Sequence, residues 1–118
     1  MTLDEFFDGK TIPRKLFEAI SREVSLLGES SIRVSKSQIA FRRRRNFALV
    51  WMPSKYLKGS VAPLVLTLSF PQQDSSPRWK QITQVASLRR FTHHLELHKV
   101  EDIDEQVITW LRSAWEAA

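Results

Sequence analysis

Four consecutive arginines, Arg42-Arg43-Arg44-Arg45, are the residues of this chain best suited to chemistry. A guanidinium presents a planar fork of donors that grips two phosphate oxygens at once, which an ammonium cannot do. The run does not stand alone. Residues 33–99 hold thirteen Lys and Arg against two acids, Asp74 and Glu96, whereas the flanks hold five basic and eleven acidic residues. A basic middle between acidic ends attracts polyanions over about a Debye length. Lys36, Arg42, Arg43, Arg44, Arg45, Arg78 and Lys80 are the candidate phosphate contacts, with Tyr56 and Trp79 as aromatic platforms on which a base could stack. Seven such contacts on a duplex predict a log-log salt slope of roughly −6.

The histidines offer a second chemistry. His94, Glu96 and His98 alternate along one segment, as two imidazoles and a carboxylate would in a metal site, but no cysteine and no evident fourth ligand completes the set. No metal and no cofactor is expected. His93 shares the parity of Phe91, Leu95 and Leu97, which makes it either a core histidine bonded to backbone or the wall of a small-molecule pocket. The chain has no Gly-rich phosphate loop, no His-Glu-x-x-His and no Gly-x-Ser-x-Gly. The expectation is a binding protein and not an enzyme.

These residues need elements to position them. The 118 residues suit one domain, 1–118, with 42% hydrophobic and 26% charged residues, a soluble globular composition. After a short N-terminal segment, 1–10, the spacing of Leu16, Ile20, Val24 and Leu27, joined by Phe17, predicts a helix over 11–28, with Thr11 as its N-cap and Gly28 as its C-cap. Residues 31–97 read as an antiparallel sheet of four or five strands. Ile39, Phe41, Phe47, Leu49 and Trp51 share odd parity, so a three-residue loop at Arg43–Arg45 puts them on one face of a hairpin. Leu64, Leu66, Leu68 and Phe70 alternate cleanly, Pro71–Pro77 reads as a flexible loop, and Lys80–Val85 as a short strand or irregular edge. A second helix spans 102–116, with Asp102 and Glu105 at capping-box spacing and Ile103, Val107, Trp110, Leu111 and Ala114 as its stripe. The predicted fold is α+β, an antiparallel meander with N-terminal and C-terminal helices on one face.

The segments Ser35-Lys36-Ser37-Gln38-Ile39-Ala40-Phe41-Arg42-Arg43, Asn46-Phe47-Ala48, Arg78-Trp79-Lys80 and Phe91-Thr92-His93-His94-Leu95-Glu96-Leu97 resemble a bacterial family. It is the domain of unknown function numbered five-six-five-five, some of whose members are labelled "predicted transport protein". The resemblance runs from about Gly9 to Ala118. It implies a compact α+β fold and supplies no activity or catalytic residue.

The chain has no apolar run long enough for a membrane span, and Met1–Glu5 lacks the basic flank of a signal peptide. The expectation is a cytoplasmic monomer or small homo-oligomer that does not engage a membrane. Its expected partner is nucleic acid or another polyanion. The alternatives are a protein-interaction or regulatory module, and a small-molecule pocket between sheet and helices.

Overall fold

A computed structural model describes all of residues 1–118. The chain begins with a five-residue helix, α1 (Leu3–Phe7), closed by a capping box. Glu5 N donates to Thr2 Oγ1 at 3.1 Å, and Thr2 N to Glu5 Oε1 at 2.9 Å. So short a helix persists because Phe6 and Phe7 are buried. A tight turn through Gly9 leads to α2 (Thr11–Leu27), which buries Pro13, Leu16, Phe17, Ile20 and Val24 on one face. Thr11 is the first helical residue and not the N-cap. Lys10 holds the cap position without a side-chain bond, its N–H donating to Phe7 O at 2.9 Å, so the turn from α1 fixes the start.

Six strands follow: β1 (Ser31–Val34), β2 (Ile39–Arg42), β3 (Asn46–Trp51), β4 (Leu64–Phe70), β5 (Gln81–Val85) and β6 (Arg90–Leu97). All pairings are antiparallel, in the order β1-β2-β3-β4-β6-β5. The fold class is the expected one, with six strands where the sequence suggested four or five. The extra strand is an edge: Gln81–Val85 pairs only with β6, which inserts between it and β4.

The hairpin parity differs from expectation. Phe41 faces Ala48, but Arg42 faces Asn46, so β3 carries one residue more than β2 at this point. That bulge lets Phe47 and Ala48 both enter the core and reverses the side-chain alternation beyond it. Leu49 and Trp51 therefore lie on the opposite sheet face, away from Ile39, Phe41 and Val50. The core face joins Leu64, Leu66, Leu68, Leu95 and Leu97 with the apolar stripes of α2 and α3.

The last helix, α3 (Glu105–Glu116), starts two residues later than the first acidic pair suggested. Its N-cap is Asp104, whose Oδ1 accepts from Val107 N at 3.1 Å. Asp102 instead closes the turn after β6, accepting from His98 N at 2.8 Å and Lys99 N at 3.1 Å. Two carboxylates of identical capping chemistry thus divide the work. No helix is long and apolar enough to cross a membrane.

Candidate anion-binding site

Strand register gathers two arginine clusters at one end of the sheet. Arg42 pairs with Ser31 and Asn46 at one end of the sheet, where Phe70 also pairs with Phe91 and Arg90 with Val85. Arg42–Arg45 and Arg89–Arg90 accordingly share that end, and Arg45 lies close enough to oppose charge on Arg90, whose pKa is lowered first by burial and then by that repulsion. Lys36, Lys55, Lys58 and Lys99 sit in connections at the other end, and Lys80 is displaced the same way. Strands of four to eight residues separate the two groups by roughly 15–20 Å. The expected union of Lys36 and Lys80 with the arginine run into one contact surface does not form. Tyr56, 57% exposed, belongs to the lysine end, its hydroxyl donating to Ser37 O at 3.3 Å.

At the arginine end, Arg43 has a structural contact. Its guanidinium carbon lies 3.8 Å from the centroid of the Trp115 ring, and Nη1 donates to Trp115 O at 3.1 Å. This caps the carbonyl end of α3, where a cation is favoured. Trp115 is held in turn by its indole N–H, which donates to Glu29 O at 3.1 Å. The ring passes so close to Gly28 that a Cβ there would stand 2.5 Å from Trp115 Cζ2, and Gly28 has φ +148°. Glycine at this helix end therefore serves the indole as much as the turn. Arg42, Arg44 and Arg45 are exposed and lie within 4.0 Å of no carboxylate. An open cleft of about 780 Å³ runs between Gly28–Ser31 and Arg42–Arg44, with Trp115 in its wall and Glu29 as its one acid. The Arg42 and Arg44 guanidinium groups and the Ser30 and Ser31 hydroxyls that line it are all hydrogen-bond donors, the chemistry an oxyanion takes. Ser30, Ser31 and Trp115 join the arginines only through the tertiary fold, and no spacing in the sequence links them.

Three expected site residues are committed elsewhere. Arg78 Nη1 donates to Asp104 Oδ1 and Oδ2 at 3.0 and 2.9 Å and to Gln106 Oε1 at 2.9 Å, while Nη2 donates to Asp102 O at 3.0 Å. Its charge secures the N-terminus of α3 and is not offered to a phosphate. Trp79 is a core residue, 8% exposed, with its ring centroid 4.1 Å from that of Trp110. It cannot stack on a base. Its indole N–H donates to Asp74 Oδ2 at 2.8 Å.

His93 is fully buried, at 0% exposure, and presents no edge to a ligand. Asp74 N donates to His93 Nε2 at 2.9 Å, so the ring proton sits on Nδ1 and is directed to Phe91 O at 3.2 Å. These bonds pin the Pro71–Pro77 segment, expected to be a flexible loop, onto the sheet through Asp74. Burial raises the cost of ionising Asp74, but bonds from Trp79 and Ser76 outweigh it and lower its pKa. Nor do His94, Glu96 and His98 gather into a group that could hold a metal ion.

Burial pushes the pKa of His93 below its ordinary 6.5, overcoming its backbone bonds, and burial followed by the nearby His93 does the same to His94. Both rings are held neutral in the fold, whereas the unfolded chain takes up protons below about pH 6.5. Stability is therefore full above that value and declines as pH falls, by up to about 1.4 kcal/mol per pH unit for each histidine. Urea unfolding at pH 7.5 and 5.5 checks this. The midpoint is lower at 5.5, and an unchanged or higher midpoint would contradict the buried neutral assignment.

A family model described as a domain of unknown function (DUF5655) matches residues 3–118. No curated protein and no solved structure matches the chain.

Proposed function

We propose for this chain, which belongs to the DUF5655 family described as a domain of unknown function, the role of a non-enzymatic binding module for an anionic ligand. The preferred ligand is nucleic acid, engaged in the cytoplasm. Arg42, Arg44, Arg45 and Arg89 contact phosphates, while Arg43 fixes the hairpin tip to α3 through Trp115. The observation that carries the reading is one of charge matching. Among the thirteen cations of residues 33–99, Arg78 alone stands within 4.0 Å of a carboxylate. Cations left unmatched by their own protein and crowded at one sheet end repel one another, and a polyanion relieves that repulsion while releasing its counterions.

The test is equilibrium binding of a short labelled single strand, and of the duplex of the same sequence, followed by fluorescence anisotropy. Binding at low salt that weakens steeply as salt is added is the expected result. Absence of binding to either at low salt would overturn the reading.

A further inference from the structure

We infer that the sheet face opposite the helices carries a second binding site, for a planar nitrogen heterocycle, built on Trp51, Thr67 and His94. The inference stands apart from the anion reading and does not depend on it. The bulge at Phe47 turns Trp51 onto this face, where β4 and β6 place Thr67 directly opposite His94. Trp51 Nε1–H donates to Thr67 Oγ1 at 3.0 Å. An indole N–H is a donor only, so Thr67 Oγ1 must accept it and is left with one proton to give. The side chain's only other partner within bonding distance is His94 Nδ1, at 2.7 Å. Donating that proton to His94 Nδ1 is the arrangement that leaves no buried hydroxyl proton unpaired, and it places the ring proton on Nε2, which has no partner within the protein. Thr67 is 4% exposed, so the middle of this relay is interior, where an unpaired hydroxyl proton is costly.

The surroundings define what the Nε2–H would meet. The Trp51 and His94 rings meet edge to face with centroids 6.4 Å apart, and Tyr56 also stands 6.4 Å from Trp51. Leu57, 56% exposed, completes the wall. Two adjoining clefts, of about 440 and 330 Å³, both include Trp51, Leu57 and His94. The smaller one also touches one cation, Lys80, and one carboxylate, Glu96. Opposite charges at one rim select for no net charge, in contrast to the arginine end. Aromatic and aliphatic walls with a single oriented donor suit a flat, neutral ring that carries a lone-pair acceptor on its edge. A free nucleoside and an unstacked base of a single strand both present that chemistry.

Adenosine, which has no phosphate, is the probe that separates this site from the arginine end. In nitrogen-15 spectra the expected pattern for His94 is an unprotonated Nδ1 and a protonated Nε2. Adenosine is expected to shift the His94 and Trp51 side-chain signals of the wild type and of an Arg42→Ala/Arg44→Ala/Arg45→Ala variant alike. His94→Phe, which keeps a ring and loses the donor, weakens adenosine binding at least about tenfold. Should that variant misfold, the wild-type spectra decide alone. Shifts with a single strand but not with adenosine would identify the ligand as a base within a strand. A protonated Nδ1 on His94, or unmoved His94 and Trp51 signals with both probes, would overturn the site.

Discussion

An Arg42→Ala/Arg44→Ala/Arg45→Ala variant is expected to bind a single strand at least about a hundredfold more weakly than wild type at low salt. Its thermal midpoint is expected to change little. The three side chains are exposed at the hairpin tip and form no ion pair, so their removal leaves no buried group unsatisfied. Without its arginine partner, each phosphate takes back a counterion, and at tens of millimolar salt each such exchange is worth about a factor of ten. Arg43 is kept because its stacking on Trp115 and its bond to the Trp115 carbonyl belong to the fold. The matched control is Lys36→Ala/Lys58→Ala/Lys99→Ala, which removes equal charge from the opposite half of the sheet. The control is expected to lose much less affinity. Equal losses would mean that net charge alone drives binding, and the arginine end would have no special part.

Trp79→Ala is expected to destabilise the fold by about 3–5 kcal/mol, lowering the thermal midpoint by roughly 10–20 °C. The ring lies against Trp110 at 4.1 Å, His93 at 4.9 Å and Phe70 at 6.2 Å, so truncation opens a cavity walled by three rings. It also removes the indole N–H from Asp74, the residue that ties the Pro71–Pro77 segment to His93. Trp79→Phe keeps most of the packing but loses the hydrogen bond and some ring volume, at about 1–3 kcal/mol. Neither change is expected to alter strand affinity under conditions where the variant is folded. A Trp79→Phe protein as stable as wild type yet defective in binding would return Trp79 to the ligand.

Local periodicity made the helices and β4 legible. Leu16, Phe17, Ile20 and Val24 repeat at helical spacing and are buried, as are Val107, Trp110, Leu111 and Ala114. Leu64, Leu66, Leu68 and Phe70 alternate and are buried too. The bulge at Phe47 was not legible, because one extra residue in a strand leaves no mark on composition and yet reverses every side chain beyond it. That reversal created the Trp51–Thr67–His94 relay. The reading of Asp102 as the cap of the last helix failed for a different reason: Asp104, two residues on, has the same capping chemistry, and only the length of the turn after β6 selects it.

The cations illustrate the widest gap between sequence and site. Arg78 and Arg44 are the same residue type in the same basic stretch, but Arg78 meets Asp104 across 26 residues of chain and Arg44 meets no acid. Arg43 reaches Trp115 across 72 residues. Charge is read from the sequence, whereas its neutralisation is a property of the fold. The seven phosphate partners the sequence suggested reduce to four exposed arginines once Arg78, Lys36 and Lys80 are set aside, Arg43 is assigned to α3 and Arg89 is added.

The salt dependence of wild-type binding to a single strand is the most direct test of an open arginine end. Four phosphate contacts predict a log-log slope of about −3, and the triple arginine variant should flatten it to about −1. A wild-type slope near zero, or one that the variant leaves unchanged, would contradict the arginine end as the binding surface.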